Sequence, residues 1–333
     1  MMAAGTDSGS DVARRGRMRR IEFVRFARAV ALPAAALLTL YFGIVYVEPR
    51  LLSFRATAAL LTDASPLLML AIGSTVVILL GSIDLSVATM ASFAAVLFVM
   101  VGPALGEFAV PAVLLVAALI GAAQGYIHHW AQIPSFVVSF GTLGILYGVT
   151  HYFSNATAAP LATPSIIVSF LGGSSFGLPN GVFVVLAAAL LLGALFRFTR
   201  LGRDIYAVGA SERAALLAGV RVRQVRVAAF AVSAICAASA GLMLLAQTGY
   251  SSPAMANNYL LPAIVGAIVG GTAISGGVGS LGGAVIGGLI AVLVRMGTVL
   301  VGLNPAFQNI VFGLVIVVAV ALTIDRDKIG IVK

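Results

Sequence analysis

Apolar residues fall into ten runs along the chain, near 29–47, 58–79, 85–101, 109–127, 135–153, 181–198, 227–247, 259–272, 282–301 and 306–324. Most are the length of one bilayer crossing, since a helix needs about 20 apolar residues to span the hydrocarbon layer. The pattern predicts an all-α polytopic membrane protein with about ten transmembrane helices. The polar stretches between the runs differ sharply in charge. Residues 199–226 carry Arg200, Arg203, Arg213, Arg221, Arg223 and Arg226, whereas 154–180 and 248–258 carry no charged side chain. Arginine gathers on the cytoplasmic side of membrane proteins. The 199–226 loop is therefore expected inside, and the uncharged pair outside. The loop 154–180, rich in Gly, Pro, Ser and Thr, is expected to lie irregularly over the outer mouth.

An even number of crossings puts both termini on one side, the side of the arginine-rich 199–226 loop, so both are expected in the cytoplasm. Residues 1–28 then form a basic cytoplasmic tail with seven arginines, 29–324 the transmembrane domain, and 325–333 a short cytoplasmic tail. The first apolar run is not a secretory signal. It continues to Tyr46-Val47-Glu48-Pro49 without a small-x-small cleavage site, and its core is longer than the ~7–15 residues of a signal.

Composition sharpens the class. Hydrophobic residues make up 61% and charged residues 9%, against roughly 45–50% and 25% in soluble domains. Too little polar surface remains to cover a globule, which excludes a soluble enzyme, a disordered chain and a nucleic-acid reader. The net charge of +9 reflects arginines clustered between apolar runs, which orients membrane segments and does not imply nucleic acid. A single cysteine, Cys236, excludes an intrachain disulfide and a Cys-rich metal site.

Several enzyme motifs fail on context. Gly277-Val-Gly279-Ser-Leu-Gly282 matches G-x-G-x-x-G, but an apolar run precedes it and no acid follows before Asp325. The better reading is helix packing, with Gly279, Gly283 and Gly287 spaced by four on one smooth face. Gly173-Ser-Ser-Phe-Gly177 lacks the strand and helix of a nucleophile elbow. His128, His129 and His151 have no carboxylate at metal-ligand spacing, so capping or interfacial roles suit them better. No nucleophile–base pair stands out for an intramembrane enzyme. The chain's two lysines, Lys328 and Lys333, do not follow a glycine, so it has no phosphate-binding loop of its own. It is expected to bind no cofactor or metal; ATP and Mg, if used, belong to a partner.

Two segments carry more information. In 199–226, Ser211 suits a helix N-cap, Glu212 the positive helix start, and Gly219 the residue just past the end. The short helix between them has the body Ala214-Ala215-Leu216-Leu217-Ala218, too short to cross a bilayer and too apolar to stay bare in water. It either folds against its own protein or fits a partner's groove. The second segment is Gly81-Ser-Ile-Asp84-Leu-Ser86, between two apolar runs. Asp84 is read as an N-cap at the cytoplasmic rim, stabilising the third helix; proton carriage is the other reading.

These blocks, with Gly270-Gly-Thr272 and Ser275-Gly276-Gly277 through Gly279 and Gly283, resemble the permease subunits of bacterial ABC importers of the ribose/xylose/arabinose type. That family is related to the branched-chain amino-acid permeases. The likeness covers most of 35–330. It implies an inner-membrane protein in which two permease subunits, identical or different, enclose one path by alternating access. It also implies ABC-type ATPase subunits, a periplasmic or extracellular solute-binding protein and a monosaccharide-like cargo. It assigns Glu212–Gly219 to ATPase docking, with Ser211, Ala215, Leu216, Leu217 and Arg203 contributing. The pattern departs from ribose-type members at Tyr259-Leu-Leu-Pro262, where acidic residues are common, at Val278 and Ser280, where basic ones are, and at Arg295. A branched-chain amino acid, a nucleoside or an autoinducer sugar is an alternative cargo; an ion-coupled transporter using Asp84 is an alternative mechanism. Neutral path candidates for a polyhydroxylated solute are Ser139, Thr142, Asn257, Asn258, Asn304 and Gln308. Arg295 is expected to snorkel, face water or find an acid, Asp84 being one candidate.

Overall fold

The computed structural model describes residues 31–163, 165–304 and 306–323. The termini at 1–30 and 324–333, which hold the two predicted cytoplasmic tails, lie outside the described residues. Helices dominate. Ala31–Val47 (α1) leads through a short 3-10 turn to Phe54–Ile78 (α2), followed by Val87–Leu105 (α3), Ala109–Trp130 (α4) and Ser135–Phe153 (α5). Then come Ile166–Gly172 (α6), Asn180–Phe198 (α7), Arg200–Ala210 (α8), Glu212–Leu217 (α9) and Val222–Thr248 (α10). Leu260–Val269 (α11), Leu281–Leu300 (α12) and Ala306–Thr323 (α13) complete the order.

Six apolar helical stretches among the described residues are long enough to cross a membrane. One of them, Val87–Trp130, contains both α3 and α4, which a 3-10 turn at Gly106–Phe108 separates. Shorter apolar helices occur at Ala31–Val47, Asn257–Val269 and Ala306–Val318. A helix therefore stands at each of the ten predicted runs.

The layering follows from burial. α2 and α10 are the most enclosed long helices and form the centre, with α3 and α4 packed on α10 and α11 and α12 on α2. Small residues permit this closeness. A Cβ at Gly125 of α4 would lie 2.6 Å from the Arg226 carbonyl oxygen of α10, and one at Gly241 of α10 would strike the Ala91 carbonyl of α3. Between α11 and α12 the contact is glycine on glycine, Gly266 and Gly270 against Gly287 and Gly283. Lipid gives helices no hydrophobic reason to associate, so backbone approach of this kind does much of the holding. The outer faces of α4, α5, α7 and α13 expose Leu115, Leu119, Phe140, Ile145, Leu190 and Leu314. Such faces suit hydrocarbon and would be untenable in water.

The predicted packing stripe needs one correction. Gly279 lies two residues before α12 with φ +151, so the smooth face comprises Gly283 and Gly287 without it. The 154–180 loop is also more ordered than its composition predicts. It contains α6, a small hairpin of Ser174–Ser175 with Leu178–Pro179, and strand Ala159–Pro160. That strand pairs antiparallel with Tyr250–Ser251, so the two uncharged loops share one end of the bundle.

Candidate functional site

The opposite end carries the arginine-rich loop, which holds two helices where the sequence pattern pointed to one. α8 starts at Thr199, whose hydroxyl accepts from the Gly202 N–H at 3.4 Å, and it buries Gly202, Ile205 and Val208 at intervals of three. Tyr206 donates its hydroxyl to the Gly279 carbonyl at 2.9 Å, and burial pushes its phenol pKa up. The three-residue spacing in Ile205-Tyr-Ala-Val208 was the available signal for this helix.

α9 is built as expected. The Ser211 hydroxyl accepts from the Ala214 N–H at 3.3 Å. At its other end Gly219 adopts φ +82, while Gly219 donates to the Leu216 carbonyl and Val220 to that of Ala215, both at 3.0 Å. This paired termination satisfies carbonyls the helix leaves over and favours glycine at the left-handed position. Ala215 faces inward and is buried; Leu216 and Leu217 are 53% and 85% exposed, and Arg203 of α8 is exposed as well. The helix is held to the bundle by Glu212, which accepts from Arg226 of α10 at 2.6 Å. Arg226 is mostly buried and also lies 3.4 Å from His129 of α4. Arg226 stands fourteen residues from Glu212, so no local helical spacing marks the two as partners.

Above this loop three glycine-bearing segments meet. Gly277 donates its N–H to the Leu79 carbonyl at 2.9 Å, and a Cβ at Gly209 would strike that same carbonyl. Gly81 and Gly276 have φ +71 and +84, and a side chain on Gly276 would reach the Gly81 nitrogen at 2.5 Å. The end of α2, the end of α8 and the turn before α12 are thus locked backbone to backbone.

Asp84 sits beside this junction, at the α8–α9 end of the bundle, and is only 4% exposed. Ser86 donates to its Oδ1 through both the backbone N–H (2.9 Å) and the hydroxyl (2.7 Å). Ser233 of α10 donates to Oδ2 at 3.2 Å, and Gln124 of α4 donates its amide to Ser86 Oγ at 2.9 Å. The N-cap position of α3 is Ser86, without a side-chain cap bond, so the predicted Asp84 cap is corrected: the acid holds the N-cap residue and, through Ser233 and Gln124, ties α10 and α4 to it. His128 belongs to the same neighbourhood, its Nδ1 2.6 Å from the Ile133 carbonyl. His151 stays within its own helix, Nδ1 2.8 Å from the Tyr147 carbonyl. No group of three potential metal ligands occurs among the described residues.

Asp84 and Arg295 are not partners. Arg295 lies on α12, its guanidinium carbon over the Tyr259 ring, 4.7 Å from the centroid. It lines a cavity of about 580 Å³ toward the other end of the bundle, together with Asp63 of α2 and Gln308 of α13. The path candidates do not converge. Ser139 is buried and donates to the Ile83 and Phe136 carbonyls, and Thr142 donates to Val138 in its own helix. Asn257 and Asn258 are exposed in a 3-10 turn, and Asn304 accepts from the Ala306 N–H at the start of α13. Of the six, Gln308 alone lines the cavity. Asp63, missed in the sequence, was signalled by its place inside an apolar run.

A helical bundle with lipid-suited outer faces and several helices long and apolar enough to cross a bilayer is the architecture of a multi-pass membrane protein. Residues 56–320 match the family described as the permease component of the branched-chain amino acid transport system, and the chain belongs to that family. It is 35% identical over 284 residues to the "Probable ABC transporter permease protein YphD" of Escherichia coli, covering 83% of each chain. It is 31% identical to the ribose import permease protein RbsC of Escherichia coli, over 88% of this chain and 92% of that one. With the galactose/methyl galactoside import permease protein MglC of Salmonella typhimurium it shares 29%, over 86% and 91%. No solved structure matches the chain.

Proposed function

We propose that the chain is the membrane-path subunit of an ATP-driven ABC importer for a monosaccharide or a similar polyhydroxylated solute. The observation that carries the reading is the near full-length similarity to permeases named for ribose and galactose import. The absence of a phosphate-binding loop in the sequence and the exposed leucines of α9 agree with it. Two permease subunits would enclose the path, crossing a bacterial inner membrane about ten times each with the α9 end in the cytoplasm. An ATPase would seat α9, and an external binding protein would deliver solute at the α6 end. The chain itself would do no covalent chemistry. Its work would be to alternate access as α9 is pulled, with Glu212–Arg226 passing that motion to α10.

Uptake in proteoliposomes holding the permease, its ATPase and its binding protein tests the reading. Radiolabelled D-ribose and D-galactose are supplied in parallel with leucine, because the family description names branched-chain amino acids. ATP-dependent accumulation of a sugar is the expected result. Accumulation of leucine alone would replace the cargo.

A further inference from the structure

Long apolar helices rarely carry charge at depth, because an ionised side chain near a helix centre is costly in a bilayer. Among the described residues, two charged side chains have at least five residues of one long helix on either side: Asp63 in α2 and Arg295 in α12. They sit on different helices, yet both line the same cavity of about 580 Å³. Its volume falls within the roughly 300–1,000 Å³ of small-molecule sites. Asp63 lies sixteen residues before Leu79, hence about 24 Å along the helix from the glycine junction at the α8–α9 end. The cavity is thus at the end from which an imported solute would come.

The two charges do not neutralise each other directly. The ion pairs among the described residues are Arg50–Glu48 and Arg226–Glu212. Arg295 instead sets its guanidinium carbon over the Tyr259 ring, a contact that consumes none of its N–H donors. Gln308 donates weakly to the Arg295 carbonyl at 3.5 Å, leaving its own amide oxygen as an acceptor. The remaining wall, including Leu60, Val292 and Met296, is apolar. An acceptor-only carboxylate, exposed at the mouth, and a donor-only, half-buried guanidinium thus share one half-open amphipathic cleft.

We propose that this cavity is a binding station for a neutral polyhydroxylated solute, which donates hydroxyl hydrogens to Asp63 and accepts from Arg295. The ligand class rests on the importer reading given above. Each hydroxyl both donates and accepts, so vicinal hydroxyls serve both charges while the C–H face meets the apolar wall. A hydrocarbon tail would leave both charges unserved. An anionic headgroup would meet the Asp63 carboxylate, and a simple cation would meet Arg295. A zwitterionic amino acid satisfies both ends but brings two full charges that resist release.

The test introduces a cysteine at the wall, Met296→Cys with Cys236→Ala, in the assembled complex in nanodiscs. The rate of maleimide labelling is followed with D-ribose, D-galactose or leucine, in phosphatidylcholine and in phosphatidylglycerol. The sugar that the complex accumulates should slow labelling at least threefold. Asp63→Asn or Arg295→Gln should raise the concentration required by roughly tenfold or more, as loss of one charge-assisted hydrogen bond predicts. Solute affinity of the binding protein should not change. If a sugar is accumulated but leaves labelling untouched, or protects both variants as well as the parent, the station is wrong while the importer stands. If only leucine is accumulated, the cargo reading fails and this inference falls with it. Protection that follows phosphatidylglycerol and not sugar would make the cavity a lipid site and overturn the proposal.

Discussion

Asp84 gathers more of the structure than any other ionisable side chain described. Two donors from Ser86 and one from Ser233 converge on its carboxylate, with Gln124 behind Ser86. Asp84→Ala would strand these donors in a buried site, at about 1–3 kcal/mol for each one left unsatisfied. A clear drop in the thermal midpoint of the purified protein is expected, and a smaller one for Asp84→Asn, which keeps one acceptor oxygen. Equal midpoints for all three would show that the network does not hold the helices together. Gly277 tests the neighbouring junction: alanine there adds about 1–2 kcal/mol for the left-handed backbone, and its Cβ would lie 2.7 Å from Ala210 Cα. The same alanine at Gly193 meets open space, so comparing folded yields of the two variants isolates the effect.

The elements at the far end depend on Glu107. Its carboxylate accepts from the Ile166 N–H at 2.6 Å and from the Ser165 hydroxyl at 2.9 Å, anchoring the start of α6. These bonds, the backbone one first, hold its pKa below the ordinary carboxylate value of 4.5. A lowered folded-state pKa means stability that is present above 4.5 and lost as pH falls through the folded value. Glu107→Gln should therefore lower the thermal midpoint at neutral pH, and the gap should close on acidification. A gap independent of pH would rule the anchor out. How legible such elements were depends on where their partners lie. α9 could be read from residues 211–219 because its caps are local. α8 is harder to read, because the single Ile205–Val208 spacing is a weak signal alone and the turn before α12 that its Tyr206 bonds lies far along the chain. Asp84 could be identified as an unusual acid, but its burial depends on Ser233, 149 residues away. The small-residue stripe failed at Gly279 because a four-residue spacing does not say where a helix begins.

The proposed import cycle makes one end of the bundle mechanical and the other receptive. Labelling tests the sidedness in a Cys236→Ala background: Ser174→Cys should react with an impermeant maleimide from outside the cell. Leu217→Cys should react only from the cytoplasmic side. Labelling of both from one side would contradict the topology. The mechanical claim rests on Leu216 and Leu217, which are exposed, beside Ala215, which is buried. Burying a leucine in a partner's groove is worth about 1.5–3 kcal/mol, so an aspartate there should weaken ATPase docking roughly tenfold or more. The fold should survive, because neither leucine supports it. The most direct measurement is ATP hydrolysis and sugar uptake by the reconstituted complex carrying Leu216→Asp or Leu217→Asp. Coupling through α9 predicts a protein that inserts normally, loses solute-stimulated hydrolysis and uptake together, and sheds its ATPase on gel filtration. Wild-type uptake with the ATPase retained in both variants, or uptake that needs no ATPase and collapses with a proton uncoupler, would contradict it.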